Sequence, residues 1–356
     1  MRVIFAAGGT GGHIYPALAV AKELMRRRSS AAVRFVGTAG KLETKLVPQA
    51  GFDLSLIESA GLVNVGLAAR ARGLWLIPKG MASARRLIRE FKPDVVVGAG
   101  GYVSGPVLLT AALMRFPTLV MESNAVPGFT NRVLARFVDR AAVSFEAALP
   151  YFRGKAVVTG NPVRREFFEI PPKEREAESF SLLIFGGSQG ARAVNEAMIA
   201  ALPSLENLRQ TLFIKHQTGE LDFEKVSEGY RRAGWEERAD VRRYIDDMVS
   251  AFKSADLIIS RAGATTSAEL MAAGRTAIMI PLPGQLEQRK NAEAMQSEGA
   301  ARMILQEDLT GERLAQEITR LVAEPEHLTR MEQQSRSLAR GDAAAATVDL
   351  IEELAR

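Results

Sequence analysis

Cysteine is absent from this 356-residue chain. Without it there is no disulfide, no thiolate metal site and no cysteine nucleophile, a composition that suits a reducing compartment. No apolar run reaches the length of a membrane-spanning helix. The N-terminus enters a strand at once, which leaves no room for a signal peptide. Histidines number three, and no His/Asp/Glu cluster has metal-ligand spacing, so neither a metal nor a cofactor is expected. Basic residues interleaved with aromatics are missing, which speaks against nucleic acid as a partner. The first glycine turn lacks both the G-x-G-x-x-G of a dinucleotide fold and the Gly-Lys-Ser/Thr of a P-loop. There is no low-complexity segment and no short-period repeat. Acidic residues are missing from Ser59 to Arg89.

What is present reads as a soluble globular protein, with 47% hydrophobic residues and a mean hydropathy near zero. The length allows two domains with separate cores. Charge is divided unevenly. Residues 1–160 carry 21 Lys and Arg against 9 Asp and Glu, a net +12, while the remainder carries 25 against 32, a net −7. A basic front half suggests an anionic partner, such as a membrane surface or a phosphorylated lipid.

The chain opens with the stretch Arg2 to Leu24, an apolar strand, then Gly8-Gly9-Thr10-Gly11-Gly12-His13, then a helix from Ile14 with Pro16 in its first turn. Strand, glycine turn and helix aim backbone N–H groups and a positive helix end at a negative ligand. Further strands are expected at Val33–Gly37, Leu54–Ile57, Pro93–Gly98, Thr118–Met121 and Ala141–Ser144, alternating with helices. A second glycine turn runs from Ala99 to Pro106. Around Asn161 to Arg164 and Pro171 to Glu178 the pattern restarts, with strand Ser181–Phe185, the turn Gly186 to Ala191 and a helix from Val194. Strands Leu212–His216, Val241–Tyr244, Leu257–Ser260 and Thr276–Ile280 follow, and two or three amphipathic helices close the chain. The expected fold is α/β, with two doubly wound, Rossmann-like parallel-sheet domains in tandem and the active site in the cleft between them. Their expected bounds are 1–161, 162–340, and a final helix in 341–356 packing back on the first domain.

Several residue groups could carry chemistry. Ser188 and the backbone of Gly186 to Gly190 could hold a diphosphate. Ser260 to Glu269 is again strand, turn and helix start, and Glu269 reads equally as an acceptor for a ribose diol or as a solvated helix position. Glu287, Gln288 and Asn291 share one helix face and suit sugar hydroxyls, or else form a polar exposed turn. His13, biased toward neutral by the helix dipole, suits a general base, or caps and packs. His216 and His327 read as structural. The cations Arg70, Arg72, Lys79, Arg85, Arg86 and Arg89 surround Leu74-Trp75-Leu76-Ile77-Pro78. Because Gly73 and Pro78 disrupt a simple core helix, this segment reads as a dock for anionic lipid.

The ordered set GGTGGHIYPALA, GGYVSGP, ESNAVPGFTN, GNPVR, GGSQGA, YIDDM, SRAGATTSAE and Gln288…Asn291-Ala292 resembles the MurG family, the undecaprenyl-diphospho-muramoylpentapeptide β-N-acetylglucosaminyltransferases (glycosyltransferase family 28) of peptidoglycan synthesis. The resemblance runs from Arg2 to about Ala300. It implies a GT-B fold and inverting transfer of N-acetylglucosamine from UDP-N-acetylglucosamine to the 4-hydroxyl of the muramoyl sugar of lipid I, giving lipid II, with consequences for cell shape and division. It implies a peripheral place on the cytoplasmic face of the bacterial plasma membrane. For the donor it implies Ile245 on uracil through its backbone, Ala264, Thr265, Thr266, Ser267, Ala268 and Glu269 on nucleotide and ribose, Arg164 and Ser188 on the diphosphate, and Gln288 and Asn291 on the sugar. Thr10, Gly11, Gly12 and Asn124 complete the donor site, and His13 and Tyr102 lie near the acceptor. His13 and Glu269 are the residues expected to carry catalysis. One position departs from the family, where a Gln-Gln pair often precedes Asn-Ala and Glu287 stands first here.

Three other readings share parts of this pattern. A glycosyltransferase for another glycolipid would keep the UDP site but not GGYVSGP and ESN. A nicotinamide dehydrogenase would need G-x-G-x-x-G. A non-catalytic sugar-nucleotide module would never release UDP.

Overall fold

The computed structural model describes residues 1–59, 67–175, 179–187 and 189–356, and of residues 67–75 the backbone alone. Ser188 and the side chains of Arg70, Arg72 and Trp75 therefore lie outside the described residues. The chain forms two compact units. Unit 1 comprises Met1–Val163 with Asp342–Arg356, and unit 2 comprises Arg164–Gly341.

Unit 1 alternates β1 (Arg2–Ala7), α1 (Gly11–Arg27), β2 (Ala32–Gly37), α2 (Glu43–Gln49), β3 (Asp53–Leu56), α3 (Leu67–Phe91), β4 (Val95–Gly100), α4 (Ser104–Leu113), β5 (Thr118–Glu122), α5 (Phe129–Leu134), β6 (Arg140–Val143) and β7 (Ala156–Val158). Its seven strands are all parallel, in the order β3-β2-β1-β4-β5-β6-β7. Both faces are covered, which is why β4 reads as a continuous Val95-Val96-Val97 run. Alternation along β1 feeds two cores. Val3, Phe5 and Ala7 pack with α1, and Ile4 and Ala6 pack with Ala84 and Ile88 of α3 and Val107 and Leu108 of α4.

Unit 2 repeats the plan with β8 (Phe180–Phe185), α6 (Arg192–Ala201), β9 (Leu212–Gln217), α7 (Phe223–Arg232), β10 (Ala239–Arg242), α8 (Met248–Ser254), β11 (Leu257–Ser260), α9 (Ala264–Ala273), β12 (Ala277–Met279), α10 (Leu286–Ser297), β13 (Ala301–Met303), α11 (Gly311–Ala323) and α12 (Pro325–Ser337). Its six parallel strands run β10-β9-β8-β11-β12-β13. Gly274 ends α9 in the left-handed conformation, φ 57°. The last helix, α13 (Ala343–Leu354), belongs to unit 1, where Val348, Leu350 and Ile351 join the core beneath α1.

In each sheet the connections reverse direction once, between β1 and β4 and between β8 and β11. In open parallel sheets ligands bind outside the carboxyl ends of the strands flanking such a point. The turns after these four strands include those singled out from the sequence.

One expectation needs correction. Gly73 and Pro78 do not interrupt the segment after β3, since α3 runs through both as a 25-residue helix. Proline removes one hydrogen bond from a helix interior, and a long helix packed on its neighbours tolerates that loss. Leu76 and Ile77 are half-buried, and Pro78, Lys79, Arg85, Arg86 and Arg89 are exposed.

Candidate active site

At the switch point of unit 1 the two glycine turns interlock. Helix α1 starts at Gly11, three residues earlier than the sequence suggested, so His13 lies inside its first turn. Thr10 is the exposed residue before it, and its carbonyl accepts from the His13 and Ile14 N–H groups at 3.1 and 3.3 Å. Nδ1 of His13 lies 3.2 Å from the Gly8 carbonyl and 3.3 Å from the Thr10 hydroxyl. The ring rests on Gly100 (φ 107°), where a β-carbon would stand 2.8 Å from Nε2, so a side chain there would evict the imidazole. The Ser104 hydroxyl holds this second turn. It accepts from the Gly100 N–H at 3.0 Å and has the Ala6 and Gly100 carbonyls at 2.8 Å to donate to.

Burial pushes the His13 imidazole below its ordinary range, opposed by the hydrogen bond to Gly8 and the field of Glu43. The ring is thus biased toward neutral. In the tautomer whose Nδ1–H donates to Gly8, the Nε2 lone pair is left to take a proton. The Gly9 N–H, expected to face an anion, instead donates to Oε2 of Glu43 at 3.0 Å. The amides of Gly11 and Gly12 open the helix.

The loop after β5 is built around buried Glu122. Its carboxyl accepts from the backbone and side-chain N–H groups of Asn124 at 2.9 Å each, from the Gly128 N–H at 3.1 Å and from the Asn131 amide at 2.9 Å. Burial raises its pKa against those bonds. Asn124 is therefore fixed in place and half-buried. Tyr102 is half-exposed, and its carbonyl accepts from the Ser59 hydroxyl at 2.8 Å.

In unit 2 the helix start after β11 carries the main candidates. Gly263 precedes α9, and Ala264, Thr265 and Thr266 line its partly exposed first turn. Ser267 and Ala268 point inward. Both are buried, and the Ser267 hydroxyl donates to the Gly263 carbonyl at 3.1 Å. Glu269 is not a solvated position. Its side chain is 16% exposed, with Oε1 3.9 Å from Nη2 of Arg164, and burial holds its pKa up to about 7 despite the Arg164 charge. Arg164 also lies over the Phe167 ring, 4.9 Å from its centroid.

The Ile245 N–H donates to Oε1 of Gln217 at 2.8 Å, and Nε2 of Gln217 donates to the Gly187 carbonyl at 2.9 Å. One buried amide thus ties the Gly186 to Gly190 turn to the YIDDM segment, and the Ile245 N–H is taken up by the protein. Asn291 is 0% exposed and donates to the Ala262 carbonyl at 3.1 Å, which braces the SRAG turn. Gln288, partly buried, accepts from the Leu282 N–H at 3.0 Å and shapes the Pro281 to Gln285 loop. Glu287 is partly buried beside it. His216 is structural. It is fully buried between the Tyr230 hydroxyl and Asn195 at 3.1 Å each, and burial lowers its pKa to about 3.

Glu43 and Gln217 escaped the sequence reading. The available signal was position, an acid opening a helix just past β2 and an amide at the carboxyl end of β9, where ligands of such sheets gather.

The glycosyltransferase family 28 N-terminal domain matches residues 3–143, and the C-terminal domain of the same family matches residues 181–352. A relative from Anaeromyxobacter sp. (strain Fw109-5), named UDP-N-acetylglucosamine--N-acetylmuramyl-(pentapeptide) pyrophosphoryl-undecaprenol N-acetylglucosamine transferase, is 45% identical over 100% of this chain and 94% of its own. The chain belongs to the MurG family. A Geobacter metallireducens member of the same name is 44% identical over 98% of this chain and 97% of its own. The crystal structure of MurG from Acinetobacter baumannii superposes with a TM-score of 0.82 at 35% identity, covering 99% of both chains. The two parallel-sheet domains in tandem are the GT-B architecture of this family.

Proposed function

We propose that the chain is the inverting transferase that moves N-acetylglucosamine from UDP-N-acetylglucosamine to the 4-hydroxyl of the muramoyl sugar of lipid I, giving lipid II. The observation that carries this reading is the full-length match to transferases of that name. The acceptor oxygen attacks the anomeric carbon, the bond from that carbon to the diphosphate oxygen breaks, and UDP leaves. Nε2 of His13 takes the hydroxyl proton. Unit 2 receives the donor. Glu269 accepts from the ribose hydroxyls, the Ile245 carbonyl accepts from uracil, and Thr265 and Thr266 line the nucleotide. Arg164, Ser188 and the helix starts meet the negative charge of the leaving UDP. Gln288 shapes the sugar pocket, with Asn291 behind it. Unit 1 supplies Thr10, Gly11, Gly12 and Asn124 for the donor, and His13 and Tyr102 for the acceptor.

Radiolabelled UDP-N-acetylglucosamine with a lipid I analogue tests the reading. The expected product is a β-linked disaccharide lipid with one UDP released per transfer. Donor binding without UDP release would replace this reading with a binding module. His13→Ala should lower kcat at saturating acceptor roughly 10²- to 10⁴-fold. Near-normal turnover would remove His13 from the mechanism.

Peripheral binding to anionic lipid at the cytoplasmic face belongs to the same proposal. Among the described residues no helix is long and apolar enough to cross a membrane. Exposed Arg85, Arg86 and Arg89 on α3 carry the charge, and the neighbouring helices add Leu113, 64% exposed, and Phe129 and Val133, four apart on one face of α5, with exposed Arg132 and Arg136 close by in the chain. Arg85→Glu with Arg86→Glu should weaken binding to anionic vesicles while leaving transfer to a short-chain soluble acceptor. Unchanged partitioning would refute the lipid dock.

A further inference from the structure

Glu43 opens α2 and is 0% exposed. A carboxylate withdrawn from water is costly unless hydrogen bonds replace its hydration. Here Oε2 accepts from the Gly9 N–H at 3.0 Å, and Oε1 accepts from the Thr38 N–H and the Thr38 hydroxyl at 2.9 Å each. Burial pushes the group up, but the bonds from the Thr38 N–H, its own N–H, the Gly9 N–H and the Thr38 hydroxyl outweigh it and hold the carboxyl below its usual range. The backbone is shaped around this side chain. A β-carbon on Gly8 would stand 2.5 Å from Oε1, and one on Gly37 would stand 2.5 Å from Cγ. Glycine at both positions is what a carboxylate in this place requires.

The carboxylate thereby ties the loop after β2 to the turn after β1. The residue it grips, Gly9, follows Gly8, whose carbonyl meets His13 Nδ1. Around the imidazole stand the Gly8 carbonyl, the Thr10 hydroxyl and the Gly100 backbone, all uncharged, and Glu43 is the charged side chain whose field favours its cationic form among the described residues.

We propose that Glu43 is a positioning residue for glycosyl transfer, fixing the turn that carries His13 and placing a fixed negative charge behind the ring. The inference rests on the reading of His13 as the base. An imidazole that takes a proton from the acceptor hydroxyl becomes a cation, and a fixed anion nearby stabilises that state, as the carboxylate of a Ser-His-Asp triad does by direct contact.

The test is Glu43→Gln, which keeps the volume and removes the charge. The chain has three histidines, so NMR can follow each imidazole in substrate-free protein. His13 should titrate at lower pH in the variant. The kcat should fall roughly 10- to 100-fold while the KM for UDP-N-acetylglucosamine stays within about twofold. An unmoved His13 titration, or an unchanged kcat in folded protein, would overturn the proposal. If Glu43→Gln does not fold, Thr38→Val removes one bond to Oε1 and keeps the charge. It should lower kcat roughly two- to tenfold at unchanged donor KM, and a lower Tm with unchanged kcat would reduce Glu43 to a structural part. The titration needs no substrate, whereas absence of lipid II formation by the unmodified protein would count against the proposed reaction itself.

Discussion

Glu43 in unit 1 and Glu269 in unit 2 are both withdrawn from water near the carboxyl end of a parallel sheet, yet their pKa values move in opposite directions. Glu43 has backbone and hydroxyl donors on both oxygens. Glu269 has one cation 3.9 Å away. Burial raises both, and the donors at hand decide whether the charge survives. The contrast separates two uses of one side chain. Glu43 is satisfied by the protein and can hold a turn. Glu269 is short of donors, which is the state expected of a carboxylate that a ribose diol will complete.

Acid strikes unit 2 hardest, through His216. The unfolded chain takes up a proton on this histidine near the ordinary value of 6.5, and the native chain only near 3. The unfolded state therefore binds more protons inside that window, and stability should fall by roughly 1.4 kcal/mol per pH unit, about 5 kcal/mol in all, as pH drops through it. Urea titrations at stepped pH will measure the slope, and His216→Gln should flatten it.

Leucine at each glutamate sharpens the contrast. Glu43→Leu leaves the Gly9 and Thr38 amides buried without acceptors and should cost about 3–5 kcal/mol of unfolding free energy. Glu269→Leu removes a group that burial already penalises, so stability should hold or rise by about 1–2 kcal/mol while transfer is lost. Equal destabilisation by the two would break the comparison.

Binding gives a smaller effect. Glu269→Gln should weaken UDP-N-acetylglucosamine roughly 10- to 100-fold by calorimetry. In the unmodified chain affinity should improve as pH rises through about 7, where Glu269 ionises, and the variant should lose that dependence. The smallest change belongs to carboxylates on the surface. Arg27→Ala, which breaks the partly exposed pairs with Asp349 at 2.5 Å and Glu23 at 2.8 Å, should alter stability by less than about 1 kcal/mol.

Much of the fold was legible because it is written in runs of neighbours. Strand β11 matches the Leu257–Ser260 reading, and the two glycine-turn repeats announced two domains of one plan. The edge strands β7 and β13 escaped, being three residues each, too short for periodicity to show. Helix α3 escaped because local breakers were weighted above packing. The site was legible as far as its turns. Its side-chain bonds were not, since Gly9 meets Glu43 across 34 residues and Ile245 meets Gln217 across 28. Sequence separation hides such partners, and the Gly9 and Ile245 amides and the Asn291 side chain are bonded within the protein.

The return of α13 to the first unit has a consequence during synthesis. The ribosome makes the chain from its N-terminus, and domains fold as their sequence emerges. Unit 2 is complete once Gly341 has emerged, whereas the core beneath α1 still lacks Val348, Leu350 and Ile351. The unit that begins first is thus the one that finishes last, and a nascent chain stalled before α13 would expose the unfinished side of unit 1.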